Sequence, residues 1–385
     1  MNSKRQAGSK GELLKKLTLL FVSPESDDRH NNINLIRFVS AAMVVYGHMA
    51  HLVGAPVPNL FGEEVSTIAV KVFFVLSGYL ITQSFMRDDD FFRYMVRRIF
   101  RIFPGLIFVC FMLTFVIGPC LSTLSAGQYF SHPQTYAYFL HNSALFPDYF
   151  LPGVFTANPY PDAVNGSLWT LPVEFSMYLL LPLLVVVFRK LKLLKAGMIG
   201  AAVLFACLDI AYITQFSDAR FIIWGSNVFQ GLVLAPYFFA GSLFVLPEIK
   251  ERLNIQVAFV LAFLLGIVIW GDYWKYEILV LLMLPYITLA CSFATPALFG
   301  RVFAVNDYSY GLYVWGFPVQ QTLIFFLGAD VFSLVPYTII SFLVATACAM
   351  VSWFVVEKPG NHLGKRITQW SRRRSQVKEA EPGKG

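Results

Sequence analysis

The chain has 385 residues, 57% of them hydrophobic and only 14% charged, with a mean hydropathy of +0.60 and a formal net charge of +7. Soluble domains carry about 25% charged residues, so this composition excludes an ordinary soluble fold. The net positive charge raises nucleic-acid binding as a function, but its distribution along the chain argues against that class.

Residues 1–32 are polar and basic, and their one apolar patch, Leu17 to Val22, is too short for a cleavable signal peptide. The first long apolar stretch is therefore expected to serve as its own signal anchor. Ten such stretches follow, at 33–53, 65–85, 102–124, 172–188, 196–214, 221–246, 255–270, 276–294, 308–327 and 331–356. Each is near the length at which a helix crosses a hydrocarbon core, and none alternates as a barrel strand does. The predicted fold is an all-α integral membrane bundle of about ten transmembrane helices. It divides into a basic segment (1–32), one polytopic domain (33–356) and a basic, partly disordered tail (357–385).

Arg37 and His48 both lie in the first stretch. Eleven residues of α-helix are three turns plus about 20°, so the two side chains share a face, about 16 Å apart along the axis. Ionisable residues are costly in a membrane helix, which makes a site the first reading. A neutral imidazole takes a proton from an alcohol near neutral pH, and His48 is the candidate catalytic base. A hydrogen-bonded structural role is the competing account. His51, one turn on, is a weaker rival. Arg37 either snorkels to the interface or binds an anion such as a phosphate.

In the second stretch Lys71 lies too deep to snorkel easily and is expected to pair within the protein. Ser77-Gly78, further along, permits close backbone approach. The loop from Arg87 to Arg101 is basic, and Arg98 and Arg101 share a helix face at i, i+3. It reads as a topogenic charge run or as a clamp for phosphates.

The loop at about 125–171 carries five prolines and several aromatic residues, among them Tyr136, Tyr138, Tyr149, Phe150 and Tyr160. Such a loop is an interfacial aromatic belt, with an amphipathic segment near 134–146, or a surface on which sugar rings stack. Glu174 is the only acid of the segment from Asn165 to Tyr178. It suits the first turn of a helix by its charge, and it could also orient His48 or bind a sugar hydroxyl.

Of the 30 Lys and Arg, all but Arg37, Lys71, Arg220 and Lys275 fall in segments that a ten-span topology puts on the side of the N-terminus. The positive-inside rule then places both termini in the cytoplasm. The five cysteines show no CxxC or metal spacing, and packing explains them. No metal site and no internal repeat is evident. The missing repeat weakens a rival function, a transporter or flippase of a lipid-linked glycan.

The motifs together resemble the acyltransferase-3 family of integral membrane O-acyltransferases. The matching blocks are the pair Arg37/His48, Phe73 to Ile81, Arg97 to Pro104, Gly166 to Glu174, Tyr308 to Tyr313 and Val356 to Pro359. They follow the family's order and cover about residues 30–365.

The resemblance implies acyl-CoA, usually acetyl-CoA, as a cosubstrate from the cytoplasm, with no permanently bound cofactor. It implies His48 as the essential histidine and Glu174 as the acidic position. Arg37, Arg98 and Arg101 would bind the donor, with Lys71 beside them. Trp169, Ser309 and Tyr310 are substrate-binding candidates within the matched blocks. The implied acceptor is a cell-envelope polysaccharide or lipid-linked glycan, and the implied location is a bacterial inner membrane. Two departures stand out. Lys71 occupies a position where many members carry Asp, and Gly316 one where many carry His.

Overall fold

The computed structural model describes residues 22–23, 31–215, 220–267, 273–295, 297–298 and 306–380. The apolar patch from Leu17, most of the basic N-terminal segment, Arg301, and the ends of the 255–270 stretch and of the tail lie outside the described residues.

Helix α1 (Ile33–Leu52) starts beside Asn32, whose side-chain amide donates to the carbonyls of Cys291 and Ala294. A two-residue hairpin, β1 (Asn59–Leu60) and β2 (Glu63–Glu64), turns at Phe61 and Gly62, both at positive φ. It leads into α2 (Val65–Arg87). Asp90 caps α3 (Phe91–Phe111) by accepting from the Arg93 amide. Helix α3 continues through a π-turn (Met112–Ile117) to Leu121 as one long rod.

The segment expected to be amphipathic forms α4 (Pro133–Ser143). An irregular stretch then reaches α5 (Thr170–Lys190), which a tight turn joins to α6 (Leu194–Gln215). A second hairpin, β3 (Ile222–Ile223) and β4 (Ser226–Asn227), precedes α7 (Val228–Leu243). Then come α8 (Ile255–Ile267), α9 (Tyr273–Phe293), α10 (Ser309–Leu327) and α11 (Leu334–Ser352). Helix α11 runs through a π-turn (Trp353–Glu357) into α12 (Lys358–Ala380).

Each of the ten apolar stretches therefore carries a helix. Seven are long and apolar enough to cross a membrane: α1, α2, the extended α3, α5, α6, α9 and the extended α11. Helices α7 and α8 are apolar but shorter, with 16 and 13 residues. Helix α10 is long enough, but Gln320 and Gln321 interrupt its apolar run. It tolerates them because it is enclosed by protein rather than lipid. Gln320 donates to the Val45 carbonyl and Gln321 to the carbonyls of Tyr160 and Ala163. These bonds satisfy the two amide nitrogens, while the Gln320 Oε1 has no partner among the described residues.

Close packing at the centre rests on small residues. Helices α2 and α7 meet with Gly78 against the Phe238 carbonyl and Gly241 against the Val75 carbonyl, so that a Cβ at either glycine would collide with backbone.

Within the tail expected to be partly disordered, 357–385, residues 358–380 are helical, and 381–385 lie outside the described residues. Helix α12 leaves the large apolar side chains Leu363 and Trp370 exposed. It is held by Gly360 and Gly364, one turn apart, packed on Pro104 and Phe100 of α3.

Candidate active site

Three spaces are bordered by candidate site residues. The first, a basic pocket, is bordered by Arg97, Arg98 and Arg101. The second is a narrow inner cavity of about 40 Å³, enclosed by Arg37, Phe73, Ser77, Glu174, Tyr310 and Tyr313 among others. The third, an open outer cavity of about 830 Å³, is walled by Tyr149, Phe150, Tyr160 and Trp169.

Asp307, which sequence reasoning missed, links a residue of the first space to one of the second. Its carboxylate binds Arg101 at 2.6 Å and Arg37 at 3.2 Å, and it accepts from the amide and hydroxyl of Ser309. Burial opposes ionisation of Asp307, but Arg37 and Arg101 overcome it and hold the carboxyl down at about 2. Glu357 lies 3.7 Å from Arg101 and accepts from Ser352 at 2.8 Å.

Arg98 differs from its neighbours. Its guanidinium stands 5.9 Å from the ring centroids of both Tyr94 and Tyr178. Its buried Nε has no hydrogen-bond partner, and among the described residues it has no carboxylate partner. Arg97, by contrast, is held by Asp88 at 2.9 Å. Hydrogen bonding from Arg93, against burial and with help from Arg97, keeps the Asp88 carboxyl at about 2.

Glu174 faces the inner cavity, the one that Arg37 also lines. Its carboxylate accepts from Ser77 at 2.8 Å and from the Tyr178 hydroxyl. Of the alternatives open for Glu174, orienting His48 has no contact to support it: Glu174 is bonded to Ser77 and Tyr178. Ser309 and Tyr310 also line the inner cavity, whereas Trp169 lines the outer one, so the three substrate-binding candidates are divided between two spaces.

The wall between the cavities is the segment leading into α5. Thr170 and Leu171 face the inner cavity, and Gly166 and Trp169 the outer. The Tyr313 hydroxyl lies 2.7 Å from Thr170 Oγ1 and 3.0 Å from the Ser167 carbonyl, pinning this wall to α10. One turn along α10, Phe317 packs against His48 with ring centroids 5.4 Å apart. Phe317 also touches Tyr160 of the outer cavity, and a Cβ at Gly166 would strike its ring. His48 thus lies behind Phe317 at the boundary of the outer space. Among the described residues no hydrogen bond engages its ring nitrogens. His51 is exposed and paired with Glu64 at 3.0 Å.

Lys71 does not join the donor-side cations, which corrects its grouping with them. It is fully buried, with its ammonium 2.6 Å from both Glu63 and Glu277. Tyr237 donates to Glu277 at 2.6 Å, and fully buried Asp209 completes the cluster. The expectation that Lys71 pairs within the protein is what the geometry displays.

Comparison with known proteins decides the family. Residues 30–354 match the acyltransferase domain of the acyltransferase-3 family. The chain belongs to this family. It is an acyltransferase whose group is other than aminoacyl. It is 31% identical over 339 residues to an O-acetyl transferase of Shigella phage Sf6, covering 86% of this chain and 96% of that one. It is 27% identical to Nodulation protein 10 of Rhizobium leguminosarum bv. viciae, over 88% and 95% of the two chains. It is 24% identical to Peptidoglycan O-acetyltransferase OatA of Listeria monocytogenes serovar 1/2a, over 66% of this chain and 44% of that protein. No solved structure matches the chain.

Family membership makes Asp307 and Glu357 notable omissions of the sequence reading. Glu357 lies inside a matched block, Val356 to Pro359, but nothing local distinguishes it. Asp307 immediately precedes the Tyr308 block and is brought to Arg37 and Arg101 only by the fold.

Proposed function

We propose that this acyltransferase-3 enzyme moves an acetyl group from cytoplasmic acetyl-CoA to a hydroxyl of a cell-envelope polysaccharide or lipid-linked glycan. It does so as a protein of about ten spans, with cytoplasmic termini, in a bacterial inner membrane. The observation that carries the reading is the pair of cavities on either side of the Gly166–Thr170 wall. Arg37 lines the inner cavity, and aromatic side chains wall the sugar-sized outer one, with His48 set behind Phe317 near it. The acetyl group follows from the names of the phage and Listeria relatives, and the glycan acceptor from that of the Listeria relative.

Donor phosphates bind at Arg98 and Arg101, and the pantetheine arm passes Asp307 and Arg37 into the inner cavity. The separation of Arg37 and His48, about 16 Å along α1, is the length the arm has to cover. His48 accepts the proton of the acceptor hydroxyl. The alkoxide oxygen attacks the thioester carbonyl, the new C–O bond forms, and the C–S bond breaks as the tetrahedral intermediate collapses. The proton ends on the departing thiolate, so the transfer consumes and releases none overall. Donors fixed around the carbonyl oxygen would stabilise the intermediate, since preorganised hydrogen bonds in a dry site act most strongly there.

The test is the ester-linked acetyl content of surface glycan in a deletion strain. The strain is complemented with wild type or His48→Ala at matched membrane levels. Wild type restores the ester and His48→Ala does not. Equal restoration by both would remove His48 from the chemistry, and no ester change with either would remove the glycan acceptor.

A further inference from the structure

The basic pocket has a second side that the donor reading does not use. Arg97, Arg98 and Arg101 of α3 form one wall, and Asn361, Gly364 and Lys365 of α12 form the other, around a space of about 300 Å³. The position of α12 is built rather than incidental. A Cβ at Gly360 would stand 2.7 Å from Pro104, and one at Gly364 would stand 2.8 Å from Phe100. Two bare helix faces, one turn apart, let α12 lie directly on α3, and Lys365 follows at the pocket's rim.

The charges do not balance within the protein. Arg97 has Asp88, and Arg101 has Asp307. Arg98 and Lys365 have no carboxylate partner among the described residues. The buried Nε and one terminal nitrogen of Arg97, and the Nε of Arg98, also lack hydrogen-bond partners. Buried donors without partners are costly, and cations facing one small space call for an anion. Phosphate fits that demand, because it accepts from several directions at once.

We propose that α12 is part of the donor site: Lys365, supported by the Asn361 amide, closes the pocket opposite Arg98 and binds a phosphate of the acyl-CoA nucleotide. The inference rests on the donor reading above. The same phosphate chemistry exists in lipid headgroups. The donor is favoured by continuity: Arg101 borders this pocket, and its partner Asp307 binds Arg37, which lines the reaction cavity.

The experiment titrates the full-length protein in uncharged-lipid nanodiscs with acetyl-CoA and with its 3′-dephospho form, by calorimetry. Lys365 is exposed, so its substitution leaves packing intact. Lys365→Ala weakens acetyl-CoA binding about tenfold, the loss of one charge-assisted contact, and Lys365→Arg recovers most of it. Gly364→Leu, which lifts α12 while keeping its lysine, weakens binding as well. Arg373→Ala removes an equal charge outside the pocket and leaves affinity unchanged.

Wild-type binding with an unaltered Lys365→Ala affinity would overturn the inference and leave the donor reading standing. No wild-type binding would overturn both. An equal loss in Arg373→Ala would mean a diffuse basic field and not a site. A parallel titration with anionic-lipid vesicles separates the sources. If Lys365→Ala reduces vesicle binding alone, the phosphate is a headgroup and the proposal fails.

Discussion

At Asp307, arginines from two helices converge on one carboxylate at the start of a third. Removing one partner from a shielded ion pair costs more than the pair itself contributes, because the remaining charge stays desolvated. Here two guanidiniums would be left. Asp307→Asn is expected to destabilise the detergent-solubilised protein by about 3 kcal/mol, read as a lower melting temperature, and to abolish transfer. Asp307→Glu should retain more stability than Asp307→Asn. Neither result depends on pH in the physiological range, since Asp307 and Asp88 are both held near 2 and remain ionised well below neutrality. The depressed values mean that these pairs stabilise the fold above the ordinary carboxylate range and fail only as pH falls through about 2.

At the scale of helices, the contact between α2 and α7 depends on the absence of two side chains. Gly241→Ala is expected to cost about 2 kcal/mol through forced separation of the backbones. Gly266→Ala, on α8 with no neighbour within 4 Å of a Cβ, should be neutral or slightly stabilising. Thermal melts of the two variants make the comparison.

These helices also explain what was legible. Apolar runs announced each span because lipid demands them, and Arg37 and His48 were visible as exceptions to that demand. Helix α12 was not legible. Its sequence is charged throughout, and its docking depends on two glycines meeting α3. Lys71 was visible as an anomaly, but its partners Glu63 and Glu277 are 8 and 206 residues away. Glu174 was visible as the only acid of its segment, but not the way α5 turns its carboxylate toward Ser77 and the inner cavity.

For the whole molecule, the Lys71 cluster ties the two halves of the bundle. Lys71 on α2, Glu277 on α9, Asp209 on α6, Tyr237 on α7 and Glu63 on β2 share one buried place. Three acids against one lysine cannot all be charged there without heavy cost. Burial lifts the Glu63 carboxyl to about 8 against the pull of Lys71. A raised value in the fold means that the native state holds a proton the unfolded chain releases. That contribution is complete below about 4.3, the ordinary glutamate value, and disappears as pH rises through the folded value. The melting temperature of wild type should therefore fall between pH 6 and pH 9, and Glu63→Gln should flatten the profile. A slope unchanged by Glu63→Gln would assign the titration elsewhere in the cluster.

The wall that separates the two cavities has a consequence for the cell as well as for the chemistry. A catalyst that meets one substrate at each face of a membrane risks becoming a hole in it. Here the Tyr313 hydroxyl clasps Thr170 and the Ser167 carbonyl, and the space behind them is about 40 Å³, enough for two or three waters. Under the proposed reaction the acyl group has to pass this clasp, and the space behind it leaves little room for water to accompany it.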